Sequence, residues 1–414
     1  MHVQQASRDA VADARLHSRS IRAGYDPQRL HAAHVLVVGL GALGQNVLLN
    51  LTLSGVGNLL LIDFDEFEDH NATRSPFYPS EANRAALGLG KASVVAKQVA
   101  ERSTAPRPNV QYIETLVQKA GDGPIRWADV VMSAVDSLSA RAWLAERCRL
   151  HGKPLVEAGF AGPEFNLVAF SGETGAPCYR CHNSARASTA SCTLYALAAE
   201  AAEIIPAIQT TAAVVGGLMA EQVIQVLHGG FARFGERLFG DARRLNFAMA
   251  KLPVNPKCPG QHAALPVLAE LGDGEPLETL ADLLHGVERY AHRLMLAEPA
   301  VISQSCTKCA TMCLVQATES AWLLAPRCQA CGGPWPRSSE PSPDAVQLLD
   351  AGEPQPRLVA GTPLAELGLT RAGSVLVQAH DDRAGLVTLP GNVSELCRSP
   401  RPEIADSVLT ATRG

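Results

Sequence analysis

Apolar residues in the first half of the chain alternate between short unbroken runs and amphipathic stretches. Residues 35–39 read as a buried strand, 42–55 follow helical spacing, and "NLLLIDFD" (58–65) returns to an apolar run. That is the strand, helix, strand order of a right-handed crossover. The alternation continues with a helix over 89–103, strands over 109–117 and 128–136, and a helix over 139–152 closed by Gly152. Two more strands, in "KPLVEAGFAG" and "EFNLVAFSG", precede a long apolar helix near 208–228 that ends at Gly229. The order predicts an α/β fold with a doubly wound, mostly parallel sheet. Beyond about residue 265 the character changes. "LETLADLLHGVERYAHRLM" has helical spacing, residues 306–331 are rich in cysteine, "RSSEPSPDAVQ" has linker composition, and "RLVAG" and "SVLVQA" are short β-like runs. The expected division is an α/β domain over 1–265, a helical connector over 266–300, a zinc ribbon over 301–338, a linker over 339–356 and a small β-grasp-like or irregular tail over 357–414.

Composition narrows the classes. A chain of 414 residues is too long for one ordinary core. With 47% hydrophobic and 19% charged residues it reads as globular, and a net charge of −5 gives no reason to expect nucleic acid or an anionic membrane as partner. Glycines, asparagines and a glutamine interrupt the most apolar stretch, 34–64, which argues against a membrane span there. The polar opening "MHVQQASRDAVADARLHSRS" has no apolar core of a secretory signal, so a cytoplasmic location is expected. In that setting eleven cysteines point to metal binding or catalysis rather than disulfides.

Gly39, Gly41 and Gly44 stand at G-x-G-x-x-G spacing between the first strand and helix. Glycines there let backbone N–H groups at a helix N-terminus approach phosphate, which suits NAD, FAD and ATP alike. Asp63, at the end of the second strand, is placed to accept hydrogen bonds from ribose hydroxyls. Downstream follow Asp65, Asn71, Arg74, Lys91 and Asp136. A nicotinamide site needs no such set of cations. Arg74 and Lys91 instead suit a triphosphate, whose leaving pyrophosphate develops negative charge, and Asp136 at a strand end suits Mg²⁺.

Four cysteines, Cys306, Cys309, Cys328 and Cys331, read C-x2-C-x18-C-x2-C, a zinc-ribbon spacing, with Cys313 left over as a substitute ligand. Cys178 and Cys181 form another C-x-x-C pair.

Over residues 15–262 the chain resembles the ThiF/MoeB/ubiquitin-activating superfamily. The resemblance rests on "RLHSRSI", "GLGALG", "SGVGNLLLIDFD", "NATRSPF", "GLGKA" and "SAVDSLSAR", met in the family's order. It implies that the domain over 1–265 is a Rossmann-like adenylation domain that uses ATP, Mg²⁺ and Zn²⁺ to adenylate the C-terminal glycine of a ubiquitin-like or sulfur-carrier protein. By the same resemblance Asp63 binds ribose, Asn71, Arg74 and Lys91 bind phosphates, and Asp136 holds Mg²⁺. Arg19 would reach the γ-phosphate of the neighbouring subunit in a homodimer. Ala42, Ser75 and Ser137 depart from the family's usual Gly, Gln and Asn. Members complete a zinc site on the first C-x-x-C with a second one after the long helix. Here that position reads "KCPGQH", so Cys258 and His262 are the expected partners of Cys178 and Cys181. Cys192 stands where members place the cysteine that takes the acyl group from AMP. The extension past 265 suits a module that recruits a conjugating enzyme. The reading therefore leans to a bacterial ubiquitin-like activating enzyme with thioester transfer. Its alternatives are a sulfur-carrier adenylyltransferase and, with less support, an NAD-dependent redox protein.

Overall fold

The computed structural model describes residues 15–81, 89–182, 206–230, 232–258, 262, 265–272, 274, 277–306, 308–318, 328, 330–333, 346–351, 360–370 and 372–399. It forms two compact units. The first comprises residues 1–114, 127–263 and 397–414, the second residues 115–126 and 264–396.

The first unit is built on an eight-stranded sheet. Its strands are β1 (His34–Val38), β2 (Asn58–Ile62), β3 (Asn109–Ile113), β4 (Val130–Ser133), β5 (Leu155–Ala161), β6 (Glu164–Phe170), β7 (Glu236–Asp241) and β8 (Asn246–Lys251), in the order β3-β2-β1-β4-β5-β6-β7-β8. Pairing is parallel from β3 through β5 and antiparallel from β5 to β8. The apolar runs explain the centre: Val35 to Val38 and Leu59 to Ile62 are almost wholly buried, as strands covered on both faces must be. Helices that pack with the sheet include α3 (Ala42–Leu53), α4 (Lys91–Arg102) and α9 (Gln209–His228). By length and composition α9 is apolar enough to cross a membrane. In the fold one side of it, including Val215, Met219 and Val223, is buried in the core shared with α3. Short helices α1 (Ser18–Arg22) and α2 (Pro27–Ala32) precede β1, α5 (Val117–Ala120) and α6 (Gly123–Trp127) precede β4 in sequence, α7 (Leu138–Leu150) follows it, and α8 (Tyr179–His182) follows β6.

The second unit holds β9 (Val267–Glu270), α10 (Leu280–Val287), β10 (Ala291–Ser305), β11 (Met312–Thr318), β12 (Val346–Asp350), β13 (Ser374–Ala379) and β14 (Ala384–Thr388) in one six-stranded sheet. The helical spacing read through residue 295 gives a helix only as far as Val287. Beyond the turn at Tyr290 burial changes to period two, with Leu294 and Leu296 buried and Met295 exposed, and β10 pairs with β13. Leucines two apart satisfy a strand as readily as a helix, and the sheet partner decides. "SVLVQA" is β13, whereas most of "RLVAG" lies outside the described residues.

The segment 115–126, between β3 and β4 in sequence, belongs to the second unit. The buried carboxylate of Asp122 accepts from the Ser374 N–H (2.7 Å) and hydroxyl (2.5 Å), and Arg126 donates to the carbonyls of Ala372 (2.8 Å) and Gly373 (2.9 Å). The second unit thus takes part of its structure from within the α/β sequence, so its folding depends on residues more than 200 positions away from most of it.

Candidate functional site

The candidate site gathers where β1, β2 and β4 end. The three loop glycines have separate physical reasons. Gly39 has φ +88°, and a Cβ on it would lie 2.7 Å from the Ala134 carbonyl oxygen. A Cβ on Gly44 would lie 1.9 Å from the carbonyl oxygen of Gly39. Around Gly41, the residue that opens α3, nothing lies within 4 Å of the added atom. Gly39 and Gly44 therefore serve the fold, while Gly41 leaves open approach to the helix N-terminus, where N–H groups favour an anion. Gly44→Ala is expected to destabilise the first unit by about 1–3 kcal/mol through backbone overlap. Gly41→Ala should leave the unfolding midpoint unchanged and weaken ATP binding. Thermal unfolding and ATP titration of the two variants check this pair.

Asp63 follows β2 and is buried. Its Oδ2 accepts from the Leu40 N–H (2.5 Å) in the glycine loop and its Oδ1 from the Asp65 N–H (2.8 Å). Burial pushes its carboxyl up to about 6, and Lys91 together with the two N–H groups pulls in the opposite direction. Lys91 is brought there by a strand-like pairing of two loops. Glu66 bridges Gly90, and the Phe67 N–H donates to the Leu89 carbonyl (2.6 Å). Lys91 is consequently tied twice to Asp65, by its N–H to the Asp65 carbonyl (2.9 Å) and by Nζ to Oδ2 (2.8 Å). Its ammonium is largely shielded, while the Asp65 side chain is half-exposed.

Asn71 is buried and its Oδ1 accepts from the Glu68 N–H (3.0 Å), capping the 3₁₀ turn Asp69–Thr73. Arg74 ends that turn and donates to the His70 carbonyl (3.2 Å). Asp136 is exposed in the loop between β4 and α7, and Arg19 is exposed on α1. Cys192 lies outside the described residues.

Four further residues, Gln45, Gln98, Arg141 and Glu157, fix this arrangement without being among the sequence-predicted site residues. Gln45, wholly buried on α3, donates to the carbonyl of Leu40 (2.7 Å) and accepts from the Phe77 N–H (3.1 Å). Gln98 on α4 donates to the Phe77 carbonyl (2.7 Å). The backbone of one residue, Phe77, is thereby held at both its N–H and its carbonyl, joining the glycine loop, the segment that carries Asn71 and Arg74, and the helix that Lys91 begins. On the far side of β1, Arg141 donates through Nε to the Val135 carbonyl (2.9 Å), beside Asp136, and through Nη1 to the buried Glu157 (2.6 Å). The sequence signal for Gln45 was a polar residue on the apolar side of a core helix. Arg141 was present as the last residue of "SAVDSLSAR".

Cys178, Cys181, Cys258 and His262 also converge. The Cys178 sulfur lies 3.8 Å from that of Cys181 and 3.6 Å from that of Cys258, and His262 Nε2 lies 3.5 and 3.4 Å from Cys178 and Cys181. A tetrahedral ion with bonds of about 2.3 Å to sulfur and 2.0–2.1 Å to nitrogen has S···S edges of about 3.8 Å and S···N edges of about 3.5 Å, so the set fits Zn²⁺. His262 Nδ1 lies 3.1 Å from the Ala176 carbonyl, the outer bond that turns Nε2 toward a metal. Cys306, Cys309, Cys328 and Cys331 come together likewise, in the second unit.

A family model described as the ThiF family matches residues 17–260. The chain is 31% identical to the sulfur carrier protein adenylyltransferase of Thermus thermophilus over 56% of this chain and 83% of that one. It is 31% identical to the SAMP-activating enzyme E1 of Haloferax volcanii over 56% and 81%. With the molybdopterin-synthase adenylyltransferase of Escherichia coli the identity is 29% over 59% and 94%.

Proposed function

Since the chain belongs to the ThiF family, we propose that it uses ATP to adenylate the C-terminal carboxylate of a small ubiquitin-like carrier protein. The observation that carries this reading is the pairing of an open helix N-terminus at Gly41 with the shielded cation of Lys91, both tied to the Asp63–Asp65 loop. The relatives' names favour a sulfur carrier as substrate over a modifier destined for conjugation, the partner that the extension past 265 suits.

In this reading a carboxylate oxygen of the carrier attacks the α-phosphorus of ATP, the Pα–O bond to the β-phosphate breaks, and pyrophosphate leaves with the electron pair. No protein base is needed, because the nucleophile is already an anion. Catalysis then consists of positioning and charge neutralisation. Asp63 holds the ribose, the N-terminus of α3 meets a phosphate, and Lys91 and Arg74 balance the charge that grows on pyrophosphate. Asp136 would hold Mg²⁺, which would neutralise phosphate oxygens, and Arg141 keeps its loop in place. Zn²⁺ on Cys178, Cys181, Cys258 and His262 would be structural. In a homodimer, Arg19 would act on the neighbouring subunit's nucleotide. Transfer of the acyl group from AMP to the Cys192 thiolate, with AMP leaving, belongs to the same reading.

Exchange of labelled pyrophosphate into ATP tests the first step. It is expected only with a carrier ending in glycine. Saturable NAD binding with no exchange would end the adenylation reading. With Cys192→Ala, exchange should persist while a thiol-sensitive carrier–enzyme adduct disappears on gels. An adduct that persists places the nucleophile elsewhere.

A further inference from the structure

Cys306, Cys309, Cys328 and Cys331 lie beyond the residues matched by the family model and take no part in the adenylation reading. They sit on two turns of the same build. In the first, which links β10 to β11, the Cys306 N–H donates to the Thr311 carbonyl (2.9 Å) and the Ala310 N–H to the Cys306 carbonyl (2.9 Å). In the second, the Cys328 N–H donates to the Gly333 carbonyl (3.0 Å) and the Gly332 N–H to the Cys328 carbonyl (2.7 Å). Each turn therefore pairs its first cysteine with the residues four and five positions on. The residue after the second cysteine is left-handed in both, Ala310 at φ 57° and Gly332 at φ 66°. Glycine adopts that conformation freely, but alanine does so at a cost that something in its surroundings must offset. Both hydrogen bonds and the left-handed residue recur in two segments that otherwise share only their C-x-x-C spacing, so packing alone does not account for the repeat.

The two turns face each other through sulfur. Cys306 lies 3.6 Å from Cys331 and Cys309 3.7 Å from Cys328, far longer than the bond of about 2.05 Å that a disulfide requires. All four sulfurs lie within 4.8 Å of one another. Those edges match the S···S edge of about 3.8 Å in a tetrahedron of metal–sulfur bonds of about 2.3 Å. The sulfurs also have donors beside them: the Gly333 N–H donates to Cys331 (3.4 Å), and the Thr311 hydroxyl lies 3.1 Å from Cys309. Donors placed on sulfur suit thiolates, and four thiolates at this spacing repel one another unless a cation sits among them.

We propose that the second unit carries its own metal centre, a closed tetrathiolate for a soft tetrahedral dication of the Zn²⁺ class, separate from the Cys178 set. All four positions are filled by protein sulfur, which leaves no place for water or substrate, so the centre is structural. It clasps the β10–β11 turn to the turn at 328–333, two segments joined by a stretch of chain outside the described residues. Binding there is part of the folding of this unit.

The test uses the full chain, purified without chelator, with metal content measured by mass spectrometry. Two zinc ions per chain are expected in the wild type. One is expected in Cys306→Ser/Cys331→Ser and one in Cys178→Ser. Cobalt loaded into Cys178→Ser should show intense sulfur-to-metal charge transfer and the visible bands of tetrahedral Co²⁺, and pyrophosphate exchange should survive in the Cys306→Ser/Cys331→Ser variant. A wild-type content of one zinc that Cys178→Ser abolishes would overturn the proposal, as would two zincs retained in the double variant. If the double variant fails to fold, the wild type decides: two zinc ions should be released by a mercurial, in step with titration of the seven ligand thiols of the two sets. A Cys306–Cys331 or Cys309–Cys328 disulfide found by peptide mapping would refute it.

Discussion

Lys91→Ala is expected to lower carrier-dependent pyrophosphate exchange by about 10²–10³-fold, the usual loss when one preorganised charge stabiliser is removed. Two features of the site make the expected effect large. The ammonium is shielded from solvent and held by the Asp65 carboxylate at 2.8 Å, so its direction is set before substrate arrives. Its helix begins at the residue itself, and the Lys91 N–H is bonded to the Asp65 carbonyl, so the backbone has little room to adjust. Arg74 is half-exposed, and its side chain donates to a carbonyl of its own turn rather than being held by a carboxylate as Lys91 is. Arg74→Ala is accordingly expected to cost about 10²-fold. Lys91→Arg separates charge from position: a planar fork cannot replace a point charge in that setting, so most of the loss should remain. Exchange measured at saturating ATP and carrier checks all three, with circular dichroism to establish that the variants are folded. A wild-type rate in Lys91→Ala would mean that the phosphates lie elsewhere.

The parts of the fold that were legible in the sequence are those with strong local causes. Strands such as Val35–Val38 and Leu59–Ile62 announce themselves because burial on both faces admits only apolar residues. The glycine loop was legible as a motif, but not the division of labour within it. Only coordinates reveal that Gly44 meets the Gly39 carbonyl while Gly41 meets nothing. The cysteine sets were legible because metal ligands come in pairs whose short spacing is fixed by the turn between them. What stayed hidden has a long-range cause. Asp122 accepts from Ser374 across 252 positions, and no local pattern in either segment signals the other. Gln45 stands out as polar on an apolar helix side, but nothing local to it or to Gln98 points to their shared partner, the Phe77 backbone. At β10 the local pattern fitted two periods, and the neighbouring strand chose between them.

Asp63 should make nucleotide binding and folding respond to acid in opposite directions. Burial raises its carboxyl to about 6 from an ordinary 3.8. A folded-state value above the unfolded one means that the folded chain holds the proton more tightly, so this residue stabilises the fold as pH falls through about 6 and stops adding below about 4. Between pH 7 and pH 5 the wild type should therefore gain about 1 kcal/mol relative to Asp63→Asn, which has no such proton to bind. Binding runs the other way. The carboxylate accepts from the Leu40 and Asp65 N–H groups, and in the proposed reading it also accepts from ribose hydroxyls. A proton on either oxygen turns an acceptor into a donor among donors. ATP affinity should thus fall over the same interval. Asp63→Asn, which carries that mismatch at every pH, should bind ATP about 10²-fold more weakly than wild type at pH 7, the loss of one to two hydrogen bonds to a charged group. Denaturant unfolding and ATP titration at pH 7 and pH 5, on both proteins, read the two effects separately. Wild-type stability that falls on acidification in parallel with the variant would show that Asp63 is not held as a buried carboxylate. Affinity that is indifferent to both pH and the substitution would show that the ribose is held by another group.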